Sequence, residues 1–317
     1  DQTENLQNMT KANLIRHDIL QGRITLYDMN QSKLQDNQLG GLRPTDTYSY
    51  DSALYSETGM VDTFIQTFCN SNDISWHTTI HPRAPIWVSR CEFYRDITNI
   101  QGGFDWRIIN RQFPIDALLL TKTGTQSLQL KKLIFPIYLS NHYCIAAIYL
   151  RQKKLIWGDS LLTSSQSTVP PRAETILRSL ARIWDQLCVE KRGASLGTQN
   201  WPCTVKYIGT QTNMVDCAQY MCNALTCLVA GTPPMQIRNP DYFRCIMAET
   251  IYNQTYERRP VDMDTHTILP RVQSQTKKSQ TIRERIITTG DADASRILPE
   301  QKALRTKDNT TLRTKTT

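Results

Sequence analysis

The sequence predicts an α+β domain in which a central, mainly antiparallel sheet is flanked by helices. Between Leu130 and Gly158, apolar runs of strand length alternate with short polar turns. Around Leu54–Phe68, Arg172–Glu190 and Cys217–Leu228, apolar residues recur instead with the period of a helix. Hydrophobic residues make up 39% of the 317 positions, which is ample material for one large core.

Bulk properties exclude several classes. The net charge of +8 resembles that of a nucleic-acid binder, but 11 Lys/Arg against 5 Asp/Glu fall after Leu269. Only about +2 remains on the first 269 residues, too little for a basic groove. The basic segment from 257 to 317 lacks aromatic residues and reads as a disordered tail able to contact acidic partners weakly. No apolar run is long enough to cross a bilayer, and no signal-peptide pattern opens the chain, so no membrane association is expected. The nine cysteines are odd in number and mostly lie in apolar runs, where they behave as small hydrophobes. Cys217, Cys222 and Cys227 are five apart, so on a helix each turns about 140° from the last and they cannot share a metal. A reducing, intracellular compartment fits this usage best.

In chain order, residues 1–48 are polar and form an expected N-terminal extension. Their one apolar patch, Ile19–Tyr27, suits a short helix or strand. The folded domain is expected over 49–256. Leu54, Met60, Val61, Phe64, Ile65 and Phe68 predict a helix at about Glu57–Phe68. His77 and His81 have a metal-pair spacing, but Pro82 and Pro85 argue for extended chain rather than a helix. A short helix is expected near Arg90–Ile97. Leu133–Leu139, Tyr143–Leu150 and Leu155–Gly158 predict strands, the last two a hairpin around Arg151–Lys154. Arg172–Glu190 predicts an amphipathic helix, Cys203–Ile208 a strand, and Asp241–Tyr252 a last helix.

The hairpin matters chemically. His142 opens one strand and Asp159 closes the other, so antiparallel pairing sets both at one end, as cross-strand neighbours. A carboxylate there can hold one imidazole nitrogen and leave the other as a base. Downstream, Cys217 begins a helical pattern behind Asp216, a candidate N-cap, and a thiol at a helix N-terminus sits in a field that favours thiolate. Gln211 lies six residues before it. The chemistry assigns Cys217 as nucleophile, His142 as base and acid, and Asp159 as its orienter. The Gln211 amide, with the Cys217 backbone N–H, stabilises an oxyanion.

Asn141-His142-Tyr143, the 17-residue step to Trp157-Gly158-Asp159-Ser160-Leu161, and Gln211-Thr-Asn213-Met-Val-Asp216-Cys217 resemble the ubiquitin-like-protein proteases, the SUMO-specific cysteine proteases with adenovirus-type proteases as distant relatives. The resemblance runs roughly from Ser49 to Gly231. It implies a papain-like fold with Cys217 at the start of a buried helix, and hydrolysis after the C-terminal glycine of a SUMO-like modifier. It implies a ubiquitin-like modifier and its conjugates as partners, no metal or organic cofactor, and nuclear or cytoplasmic residence. Tyr143 stands where the family has Trp after the histidine, and Ala218 where it has Gly. Tyr55 takes the place of the Trp that roofs the tunnel for the modifier's tail, so Tyr55 and Tyr143 are the expected substrate contacts. Two alternatives remain open: a non-catalytic modifier-binding module with the same fold, and a viral or transposon-type protease with another substrate.

Overall fold

The computed structural model describes residues 2–27, 33–35, 38–43, 56–81, 84–98, 103–115, 130–234, 237 and 239–257. The expected tail and Tyr55 lie outside these residues. Among the described residues, no helix is long and apolar enough to cross a membrane.

A six-stranded mixed sheet, flanked by helices, runs in sequence order: β1 (Ser75–Trp76), β2 (Ile86–Val88), β3 (Lys132–Leu139), β4 (His142–Tyr149), β5 (Lys154–Asp159) and β6 (Cys203–Val205). The α+β class holds. The three long central strands pair antiparallel, whereas β1 with β2, β2 with β3, and β5 with β6 are parallel. The parallel edges are strands of two or three residues, too short to leave a readable period.

β3 and β4 join through Ser140 and Asn141, both with left-handed backbone (φ 52° and 62°), the requirement of a type I′ turn. This two-residue turn fixes Leu139 opposite His142 and so makes His142 the first residue of β4. Asn tolerates the left-handed region, and Asn141 also accepts the Tyr138 hydroxyl at 2.9 Å.

Six of β4's eight residues are buried, because both faces are covered. On one face Leu133, Phe135, Cys144, Ala146, Leu155 and Trp157 join a core with Ile176, Leu180 and Trp184 of α5 (Pro171–Arg192). Phe93 and Phe113, flanking α3 (Phe93–Ile97) and α4 (Trp106–Gln112), pack on Trp87 in the same core. Ile134, Ile145, Ala147 and Ile156 are buried from the other side. There α6 (Cys217–Ala230) crosses β4 and β5, backed by α2 (Thr58–Ser71) and α7 (Pro240–Glu257). Every residue from Cys217 to Leu228 is buried, so α6 is a central helix rather than an amphipathic surface one.

The N-terminal residues differ from the expected extension. Gln2–Leu20 form α1, which lies on α7, and the patch at Ile19 ends that helix rather than starting an element. Ala12, Ile15 and Ile19 are buried, and Arg16 pairs with Asp241 of α7 at 2.6 Å. A polar helix with a narrow apolar stripe carries little periodic signal, which is why the segment reads as featureless.

Candidate active site

His142 and Asp159 meet at the end of the central hairpin. His142 Nε2 lies 2.7 Å from Asp159 Oδ1, and the Leu161 backbone N–H donates to the same oxygen at 2.9 Å. The direct cross-strand partner of Asp159 is not His142 but Cys144, two residues along β4. His142 therefore reaches the carboxylate diagonally, a distance its ring spans easily. Cys144 points to the same place, with its thiol 3.3 Å from Asp159 Oδ2. An imidazole nitrogen of His142, the Cys144 sulfur and an Asp159 oxygen lie within 4.8 Å of one another.

Electrostatics tie the pair. Burial opposes charge on His142, but hydrogen bonds to Asp159, Cys144 and Cys217 outweigh it and raise its pKa above the ordinary value. Burial pushes the Asp159 carboxyl the other way. Its bonds with His142, the Leu161 N–H and Cys144 reverse that and hold it below the usual carboxylate range. Both shifts favour imidazolium facing carboxylate.

Cys217 is the first residue of α6 and is 2% exposed. Its side chain is among the groups that raise the pKa of His142. With Nε2 engaged by Asp159, the nitrogen left for a proton is Nδ1. Asp216 holds the N-cap position, but its side chain does not cap the helix. Its carboxylate instead accepts from Arg244 of α7 at 2.6 Å and from Asn213 Nδ2 at 2.6 Å. Asn213 Oδ1 in turn accepts the backbone N–H groups of Val215 and Asp216. The Arg244 guanidinium also donates to the Gly41 carbonyl. Arg244 is 0% exposed, so the loop before Cys217 is fixed by a buried ion pair.

Gln211 sits beside this loop. Its carbonyl oxygen accepts the Ser160 hydroxyl at 2.5 Å, and its Nε2 donates to the Asn213 carbonyl at 2.7 Å. An amide nitrogen carries two protons, so one such bond leaves a second N–H to donate. Tyr143 takes a different place from the one expected. Its ring is 2% exposed and stacks near Tyr138, and its hydroxyl donates to the Ser56 carbonyl at 2.8 Å. It packs beneath the segment leading into α2 instead of lining an open cleft.

Cys144, Ser160 and Arg244 were not singled out by sequence reasoning. Cys144 carries a readable signal, since residues i and i+2 of a strand share a face with His142. Arg244 is the one cation amid the apolar pattern Phe243, Met247, Ala248 and Ile251, a pattern that marks a buried partner.

Residues 104–259 match the Ulp1 protease family, C-terminal catalytic domain. The family resemblance is shown. The Ulp1-type fold extends further than that stretch. SUMO protease Ulp1 with its catalytic cysteine oxidised to a sulfinic acid is 16% identical at a TM-score of 0.55, with 77% of this chain and 95% of that one covered. The C-terminal Ulp1 protease domain in complex with Smt3, the yeast ortholog of SUMO, is 16% identical at a TM-score of 0.53, with 79% and 94% covered. At these identities the likeness to solved structures is one of fold. No curated protein matches the sequence.

Proposed function

We propose that this Ulp1-type domain is a cysteine peptidase that hydrolyses the peptide or isopeptide bond after the C-terminal glycine of a SUMO-like modifier. The observation that carries the reading is the His142–Asp159 contact at 2.7 Å with the Cys217 thiol on the same imidazole. In the reaction, Nδ1 of His142 takes the Cys217 proton while Asp159 stabilises the imidazolium. The thiolate attacks the glycine carbonyl, and the oxyanion receives the Cys217 backbone N–H and the second N–H of Gln211. Ser160 keeps the Gln211 amide turned the right way. Collapse expels the amine, which takes its proton from His142. Water, deprotonated by the same imidazole, then cleaves the thioester and restores the thiol.

The near-occlusion of Cys217 supports a glycine-ended substrate, because a chain without side-chain bulk best reaches a residue that is 2% exposed. All nine cysteines are free, which supports residence in a reducing compartment, nuclear or cytoplasmic. The test is a SUMO-like modifier carrying a C-terminal electrophile. Wild type should form an adduct that Cys217→Ala cannot form. An adduct that persists in Cys217→Ala would refute the mechanism, and a wild type without adduct would favour a binding module.

A further inference from the structure

The register that sets Cys144 against Asp159 brings into the site a donor that proteolysis does not use. We propose that His142, Cys144 and Asp159 form a binding site for a soft divalent cation, Zn²⁺ foremost, and that its occupation shuts the hydrolytic site. The regulatory half of this statement rests on the proposed peptidase activity; the binding half does not.

Imidazole nitrogen, thiolate sulfur and carboxylate oxygen are the three ligand types that Zn²⁺ takes in proteins, at about 2.0–2.3 Å. Around a tetrahedral centre such atoms stand about 3.3–3.8 Å apart. Here the three lie within 4.8 Å of one another, with Cys144 Sγ already 3.3 Å from Asp159 Oδ2. All three stand on two hydrogen-bonded strands, so little ordering accompanies binding. The Leu161 N–H orients the carboxylate from outside, as second partners of metal ligands do. Solvent reaches the cluster through His142 and Asp159, whose side chains are 21% and 15% exposed. A fourth position falls to water or to the Cys217 sulfur, which shares the imidazole.

The protons balance without redox chemistry. Cys144 releases its thiol proton and the His142 imidazolium its Nε2 proton, both to solvent, so that the Nε2 lone pair faces the cation while Nδ1 keeps its proton. Binding through sulfur displaces the Cys144 proton, and that cost keeps binding reversible. With the cation in place, Nδ1 is protonated and cannot accept from Cys217, and Asp159 no longer holds the imidazolium.

Co²⁺ serves as the spectroscopic probe, added to the full chain bearing Cys217→Ala. A thiolate-to-cobalt charge-transfer band is expected there and should vanish in Cys217→Ala/Cys144→Ser, which retains a hydroxyl donor to Asp159 and the far-UV dichroism of the fold. No band in the single variant, or a band surviving in the double variant, overturns the site. In the second arm, Zn²⁺ should suppress electrophile labelling of wild type at concentrations at least tenfold lower than for Cys144→Ser, each measured against its own zinc-free rate. Equal sensitivity would mean that the cation sits on Cys217 and His142 alone, and overturns the assignment. If wild type never labels, the peptidase reading fails while the Co²⁺ band still decides the metal site.

Discussion

Replacing Arg244 with Met removes the guanidinium that pairs with Asp216 inside the protein. The two side chains are 0% and 3% exposed and 2.6 Å apart, so no water takes over when the guanidinium is lost. Removing one partner of a buried pair costs about 3–5 kcal/mol, because the remaining carboxylate stays desolvated. Methionine fills most of the vacated volume, so the loss is electrostatic rather than a cavity effect. The Gly41 carbonyl loses one donor as well and keeps Gln219 Nε2 at 3.2 Å. In a domain of this size that loss lowers the melting temperature by about 10 °C. Arg244→Lys keeps the charge but cannot fork to both Gly41 and Asp216, and should fall between wild type and Arg244→Met. Urea unfolding of wild type, Arg244→Met, Asp216→Asn and the double variant closes a cycle, with an expected coupling of at least about 2 kcal/mol. The same loss frees the loop before Cys217, so labelling by the modifier electrophile should slow beyond what the unfolded fraction explains. An Arg244→Met midpoint within about 1 kcal/mol of wild type, or an additive cycle, would refute the reasoning.

Asp159→Asn leaves the strand register intact but removes the charge that stabilises His142 as imidazolium; electrophile labelling should drop about 10²–10⁴-fold, and a drop below about fivefold would remove Asp159 from the mechanism. Asp62 offers a test by pH. Burial pushes its carboxyl up to about 6, against the Cys91 N–H that donates to it at 2.8 Å. Because the folded value lies above the unfolded one, this group's stabilisation is complete below about pH 4 and is lost as pH rises through 6. Wild type should thus lose about 3 kcal/mol from this group between pH 4 and 7.5, whereas Asp62→Asn should not. Urea midpoints at the two pH values decide it, and parallel pH dependence in both proteins would discard the assignment.

The central hairpin was legible because β4 and β5 are long, apolar and separated by an unmistakable polar turn. Their pairing alone brings His142 toward Asp159. Helix α6 was legible from its period, and Gln211 only through the family motif it resembles. What escaped is what depends on distant partners. The exchange of neighbours between His142 and Cys144 follows from a two-residue difference in register, which alternation of apolar residues does not fix when both faces are buried. Asp216 looks like a helix cap locally, yet its carboxylate is drawn away by Arg244, 28 residues on. Tyr143 reads as a substrate aromatic beside a catalytic histidine, but neighbouring strand residues face opposite ways, and its side chain goes inward. α1 escaped because a helix held by a few apolar positions and ion pairs such as Arg16–Asp241 and Lys11–Glu249 looks like any polar segment.

The placement of Arg244 also bears on when the site comes into being. A growing chain emerges N-terminus first, so the hairpin with His142 and Asp159, whose contacts are local, can form early. The loop before Cys217 then waits for residue 244, and α7 docks in turn against α1, made well before the hairpin. The last helix of the domain thus acts as a completion signal, and a partly made chain carries the His142–Asp159 pair without a positioned Cys217. Ribosome-bound chains whose exposed part ends before Pro240 should resist electrophile labelling, and those exposing Glu257 should accept it; equal labelling of both would show that the nucleophile loop needs no lock.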